Sequence, residues 1–242
     1  MKACLDIPVL HDDHGTAVVV LAALRNALAV TGRTLPEARI VVLGAGAAHT
    51  AVTLLLLAAG ARDVTVWTAA GVLHRTVPDS VPRQERQPAA LTNPRDVGGG
   101  PRDVLRGADA VIGLSAAGVL TRSMVAGMAE RPIVFALAHP VPEIDPGEIS
   151  GLGAVIATGR SDHPNQVDNA LAVPGLFRGA LDARLTGIGI PILLAAAAGL
   201  ADLVPRPRPD RLLPDVLDPH VVPAVAAAVR ASVSRLPTDK WK

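Results

Sequence analysis

Five of the seven histidines, and a glycine turn able to hold an anion, fall into four short segments of this chain. His11-Asp12-Asp13-His14 sets two carboxylates beside two imidazoles and runs into Gly15-Thr16-Ala17. Gly44-Ala45-Gly46-Ala47-Ala48-His49 is a glycine turn of the kind that lets backbone N–H groups approach a pyrophosphate at a helix start. Ala138-His139-Pro140-Val141-Pro142-Glu143 carries another imidazole. Asp162-His163-Pro164-Asn165-Gln166-Val167-Asp168-Asn169 mixes carboxylates, amides and an imidazole. Imidazole titrates near neutral pH, so a histidine oriented by a carboxylate suits general acid/base work. Asn165, Gln166 and Asn169 offer neutral donors and acceptors for orienting a polar substrate. Asp12 or Asp13 has a plainer reading as the cap of a helix starting at Gly15. For His74 and His220 a solvated or structural role suffices.

These groups need a scaffold, and the apolar pattern supplies one. Gly15 to Val30 reads as a mostly buried helix that ends near Gly32. Arg39–Leu43 is a short β-branched run entering the glycines, Ala47–Ala59 is a helix closed by Gly60, and Val64–Trp67 is the next strand. Strand, glycine turn, helix, strand is the first βαβ unit of a doubly wound sheet, so the fold class is α/β of Rossmann type, with helices on both faces. Ala110–Leu114, Ile133–Leu137 and Ala154–Ala157 read as further buried strands, and Arg122–Met128 as a helix. Val77–Pro101 is expected to be a long irregular insertion. Gly175, Gly179 and Gly199 are expected to separate helical pieces. Pro205–Pro214 reads as a linker before a last amphipathic helix, His220–Leu236. The expectation is a single domain over residues 1–242: a helical segment to residue 35, a core over 36–204, then linker and terminal helix.

In such a sheet the cofactor positions would be Gly44, Gly46 and Ala47 at the turn, Thr68 at the end of the second strand, and Ser115 after a later one. The third glycine of the turn is replaced by His49. An acidic acceptor for an adenine ribose belongs at the end of the second strand, roughly 20 residues beyond the turn, and Thr68 stands there. Asp63 precedes that strand and faces its other end. NAD(P) binding is therefore possible but weakened.

Composition removes other classes. The 242 residues are half apolar, with net charge +1, and 20 of the 23 basic residues are arginine, without a basic run. That leaves no footprint for nucleic acid. Cys4 is the only cysteine, so no disulfide closes within the chain and a cytoplasmic location is expected. Arg25 and Asn26 interrupt the longest apolar stretch, so no membrane association is expected.

Taken in order, the glycine-bearing signatures and the Asn169 segment resemble the C-terminal, dinucleotide-binding half of bacterial malic enzymes over nearly the whole chain. By that resemblance Asp13 matches one of three carboxylate ligands of a catalytic metal, the other two belonging to an N-terminal half that this chain does not carry. One carboxylate with Asp12 beside it is too few for a tight divalent site, so no metal is expected. The family's acid and base, a Tyr and a Lys, also come from that half. There is no Tyr here, and the lysines are Lys2, Lys240 and Lys242. The first signature lacks the family's Gln between Asp13 and His14. His139 stands where the family has a substrate-orienting Asn, Asp168-Asn169 replaces an Asn pair, and Ser115-Ala116-Ala117-Gly118 replaces Ser-Ala-Pro-Gly.

The resulting expectation is a repurposed scaffold with an acid/base site: His139, His14, Asp13 and Asp12 as catalytic candidates, and Asn165, Asp168 and Asn169 for substrate. It would be an isomerase, cyclase or lyase of bacterial specialised metabolism. An NAD(P)-dependent oxidoreductase and a non-catalytic subunit completing a separate N-terminal domain are the alternatives. The partner expected besides a small-molecule substrate is a second copy of the chain, a homodimer covering apolar surface on the Gly15–Val30 helix and the Ile190–Leu203 segment.

Overall fold

In the computed structural model, residues 7–44, 46–74 and 83–233 are described. The sheet is built from β1 (Arg39–Gly44), β2 (Asp63–Thr68), β3 (Gly71–Val72), β4 (Ala110–Leu114), β5 (Ile133–Ala136) and β6 (Val155–Thr158). Its order is β3-β2-β1-β4-β5-β6, parallel throughout except for the antiparallel β2–β3 pair. This is a doubly wound order whose direction of winding changes between β1 and β4, where ligands bind at the strand C-termini. Ile40, Val41, Val42 and Leu43 are buried on both faces of β1, as are Ile133, Val134 and Phe135 in β5. Strands covered on both sides read as unbroken apolar runs, which is why they were legible.

The helices are α1 (Asp12–Thr31), α2 (Ala47–Ala58), α3 (Arg83–Leu91), α4 (Pro101–Leu105), α5 (Arg122–Ala126), α6 (Pro146–Ile149), α7 (Val173–Asp182), α8 (Ile190–Ala201) and α9 (Val221–Val233). α1 begins at Asp12, not Gly15, with His11 at its N-cap and no side-chain cap bond. Neither Asp12 nor Asp13 is a cap. Both lie in the first turn, where the helix dipole favours carboxylates. Gly32, at φ 74°, ends α1 in the left-handed conformation, and Arg33 donates its N–H to Leu28.

Several expectations about the second half and the insertion need correction. The insertion contains α3, which runs through Pro88, and part of it, 75–82, lies outside the described residues. Gly175 and Gly179 sit inside α7 and Gly199 inside α8, not between helical pieces. A Cβ on any of them would meet α9 at 2.5–2.7 Å, so they set the close approach of that helix. The 205–214 stretch is no loose linker: Leu212 and Leu213 are buried. The amide of Asn26 in α1 bonds the carbonyls of Ala201 at 3.1 Å and Leu212 at 2.8 Å, tying the stretch to the core. The terminal helix is described to Val233; residues 234–236 lie outside the described residues.

α1 is long and apolar enough to cross a membrane by length and composition, yet it lies in the core, packed on α2 and α8. Much of the apolar surface of α1 and α8 packs within the chain, and a groove of about 530 Å³ lined by Leu21, Leu28, Ala29, Leu194 and Ala198 stays open between them.

Candidate active site

A cleft of about 520 Å³ opens along the C-terminal ends of the strands. Leu114 and Ser115 after β4, Leu137–His139 after β5 and Gly159 after β6 form one side. Asp12, Asp13 and Thr16 of α1, Ala48 of α2 and Val167–Asn169 complete it. Of the expected site residues, Asp12, Asp13, Ser115, His139, Asp168 and Asn169 line this cleft together. His14, Asn165, Thr68, Gly44, Gly46 and Ala47 are not among its lining residues.

The wall made by α1 depends on Gly15. A Cβ there would meet Val173 at 2.6 Å, so the glycine lets the Asn169–Leu171 turn settle against the first turn of α1. Asn169 then donates Nδ2–H to Asp12 Oδ1 at 2.8 Å, and its Oδ1 accepts the Thr16 hydroxyl at 2.8 Å. Asp12 and Thr16 are four residues apart and share one helix face. Asp13 Oδ2 lies 2.6 Å from His11 Nδ1, an imidazole–carboxylate pair at the start of α1. The ring centroids of His11 and His14 are 6.2 Å apart, edge to face. Asp168 Oδ1 accepts the N–H of Ala170 at 2.8 Å, and Oδ2 accepts from Gln166 at 3.2 Å.

The opposite wall is braced by Glu143, a residue not singled out beforehand. Its side chain is wholly buried. Oε1 accepts the Ser115 N–H at 2.8 Å and the Ser115 hydroxyl at 3.2 Å, while Oε2 accepts the Ala138 N–H at 3.0 Å. The carboxylate thus joins the segments after β4 and β5 through the backbone of Ser115 and of Ala138, the residue before His139. The sequence signal was a single acid among Val141, Pro142 and Ile144, an apolar context in which a carboxylate must find donors.

Asn165 is corrected from substrate ligand to structural tie. At φ 60° and nearly buried, it donates Nδ2–H to the carbonyls of Ile156 at 2.8 Å and Pro209 at 2.7 Å. Its Oδ1 accepts the N–H of Leu212 at 2.7 Å, and Asn165 is not among the cleft-lining residues. Asp162 is engaged by Arg160, whose hydrogen bond is the main cause holding the carboxyl down at about 2. His163 is not among the cleft-lining residues. His74 pairs with Asp96 at 3.1 Å and His220 with Asp218 at 2.8 Å.

The nucleotide positions fit in part. Gly44 is required by packing, since a Cβ would stand 2.5 Å from the Leu114 carbonyl oxygen. Gly46, at φ 92°, has open space where a Cβ would be and lies at the N-cap of α2. A phosphate could approach this backbone. Thr68 does not complete the site, because its hydroxyl donates to Gly71 O at 3.2 Å and accepts from Ala70 N–H at 3.2 Å, closing the β2–β3 turn. His49, where a third glycine would stand, is wholly buried in α2. Asp63 sits at the opposite end of β2, paired with Arg95 at 2.8 Å. Among the described residues, no group of three or more His, Cys, Asp or Glu side chains is arranged to hold a metal ion.

Comparison with known proteins agrees with this geometry. The family model described as malic enzyme, NAD binding domain, matches residues 14–70 and 103–235. The bifunctional malic/malolactic enzyme of Bacillus subtilis is 42% identical over 99% of this chain and 60% of its own length. The NAD-dependent malic enzyme of Geobacillus stearothermophilus is 46% identical over 95% of this chain and 48% of its own. Among solved structures, the NAD-dependent malic enzyme of Thermotoga maritima superposes with a TM-score of 0.90 at 40% identity, covering 95% of this chain and 61% of that one. The malic enzyme of Pyrococcus horikoshii gives 0.91 at 38% identity, covering 97% and 57%. The chain spans roughly half the length of these relatives. With this fold, this cleft and these relatives, the chain belongs to the malic enzyme family through its NAD-binding domain.

Proposed function

We propose that the chain converts a small, polar, oxygenated substrate by proton transfer in this cleft, as an isomerase, cyclase or lyase of bacterial specialised metabolism, without net hydride transfer. The observation that carries the reading is His139, an imidazole in a cleft whose other polar lining side chains are carboxylates, hydroxyls and an amide. His139 moves the proton at a reacting carbon or oxygen, since an imidazole changes charge near neutral pH. Asp12 and Asp13, with His14 in the same helical turn, supply the partner acid or base, and Asp168 and Asn169 orient the substrate. The commitment of Thr68 to its own turn speaks against a tightly held adenine ribose.

A second reading is an NAD(P)-dependent oxidoreductase, favoured by the preserved Gly44–Gly46 turn and by relatives named NAD- and NADP-dependent malic enzymes. In it Gly44, Gly46 and Ala47 hold the pyrophosphate, and the cofactor supplies hydride chemistry. A third reading is a non-catalytic subunit that completes a separate N-terminal domain. In every case we place the chain in the cytoplasm, as a homodimer. The exposed apolar side chains left for such contact include Phe177 and Leu181 on α7 and Val222 on α9.

The deciding assay offers the purified chain malate with NAD or NADP, with and without Mn²⁺. The expected result is no reduced nicotinamide. Sustained pyruvate formation that is lost in Asp13→Ala would replace the first reading with the second.

A further inference from the structure

Glu143 is the one wholly buried acid among the described residues, and proton transfer at His139 as set out above makes no use of it. Its backbone is fixed, since its carbonyl oxygen accepts the Leu120 N–H at 3.2 Å. Its side chain is boxed in, since the carboxyl carbon stands 2.4 Å from where a Cβ on Gly113 would be. From that place it meets donors only: the N–H and hydroxyl of Ser115 at 2.8 and 3.2 Å, and the Ala138 N–H at 3.0 Å. An ionised carboxylate accepts on both oxygens and suits all three, whereas an amide of the same size sets a donor against one of them. The Ser115 hydroxyl can turn round to accept, but the two backbone N–H groups cannot. It is therefore the charge of Glu143, and not its size, that lets one side chain hold two strand ends.

We propose, building on the reading of His139 as the group that moves the proton, that Glu143 is its positioning residue. Leu137 donates its N–H to the Gly113 carbonyl at 3.1 Å, and the bond from Ala138 to Glu143 is the next tie along the chain towards His139. His139 itself is exposed, so its placement leans on that backbone tie. A misplacement of about 1 Å costs a reacting group on the order of 100-fold in rate. Losing the tie thus reaches the chemistry, although Glu143 is not among the cleft-lining residues. In Glu143→Gln the amide oxygen should stay with Ser115, whose N–H makes the shorter bond, and the new NH₂ group should face the Ala138 N–H.

The test compares the full chain with Glu143→Gln at one temperature below both melting transitions. Amide hydrogen exchange followed by NMR should quicken about tenfold or more at Ala138 and less than about threefold at Ser115. Carbethoxylation by diethyl pyrocarbonate, located by peptide mass, should change in rate at His139 and not at His220, a separation that general loosening does not produce. Deuterium uptake from D₂O into a small oxo or hydroxy compound should fall about tenfold or more. Ala138 exchanging as in the unmodified chain overturns the proposal. So does an equal change at His139 and His220, or deuterium uptake that the substitution leaves intact. If the variant does not fold, the unmodified chain decides: the Ser115 and Ala138 amides should both exchange about 100-fold or more slower than in an unstructured chain, and free exchange at Ala138 overturns the proposal. The expected exchange and reactivity pattern in a chain that moves no deuterium at all would remove the proton-transfer function and leave the placement of His139 by Glu143 standing.

Discussion

A Cβ on Gly113 would stand 2.4 Å from the carboxyl carbon of Glu143, so the glycine inside β4 and the acid beyond β5 are built as a pair. The cleft floor depends on it, because the carboxylate that fills the space over Gly113 holds Ser115 and Ala138 by their backbone N–H groups. A wholly buried carboxylate is costly unless donors surround it, and these bonds offset that cost. Gly113→Ala should overpack the site and destabilise the fold by about 1–3 kcal/mol. Chemical denaturation should show this as a lower midpoint with an unchanged slope. A midpoint equal to wild type would mean that the space is not filled as described.

Asn165 should matter for stability and not for ligand binding. Its amide makes three bonds: two join the loop after β6 to the 209–212 stretch, and the third returns to Ile156 in β6. Asn165→Ala should cost about 2–4 kcal/mol, at roughly 1 kcal/mol per bond plus the buried groups left unpaired. Nucleotide affinity, measured below the melting transition, should stay within about twofold of wild type. A large affinity loss in a variant that melts normally would return Asn165 to the site.

NAD should bind weakly. Thr68 offers a neutral hydroxyl already engaged by Gly71 and Ala70 where a carboxylate would accept both ribose hydroxyls. Losing charge-assisted hydrogen bonds of this kind forfeits about 1.5–3 kcal/mol, roughly tenfold to hundredfold in affinity. Thr68→Asp should recover part of this, held back by loss of the hydroxyl donor that closes the turn. Calorimetry giving micromolar or tighter binding for the unmodified chain would contradict the assignment.

The two pairing states of histidine also separate experimentally. His220 is exposed and paired with Asp218 at the start of α9, whereas His139 lines the cleft. His139→Ala should lower turnover about 100-fold with the melting temperature preserved, and His220→Ala should leave turnover nearly unchanged. Equal activity in the two variants would remove His139 from the mechanism.

What could be read from residues alone was whatever local pattern determines. β1, β2, β4 and β5 appear as apolar runs because parallel strands are covered on both faces. β3, with only Gly71 and Val72, is too short to show a period, and Pro88 disguised α3 as loop. The lining of the cleft was legible at Asp12, Asp13, Ser115, His139, Asp168 and Asn169, which turn-and-strand-end logic brings to one edge. Asn165 and Asn169 look alike in sequence. Only the distant carbonyl of Pro209 and N–H of Leu212 reveal that the first is structural. Glu143 was hidden for the same reason, since its donors come from Ser115 and Ala138 on separate segments.

Proton transfer without hydride transfer is the central claim, and solvent exchange reads it directly. The purified chain is incubated in D₂O with a panel of small hydroxy and oxo compounds, including dihydroxyacetone, oxaloacetate and malate, and carbon-bound deuterium is followed by NMR. The account predicts protein-dependent deuterium incorporation in at least one compound, without added nicotinamide, falling about 100-fold in His139→Ala. Exchange that is absent across the panel, together with NAD(P)-dependent oxidation of any member, would contradict it.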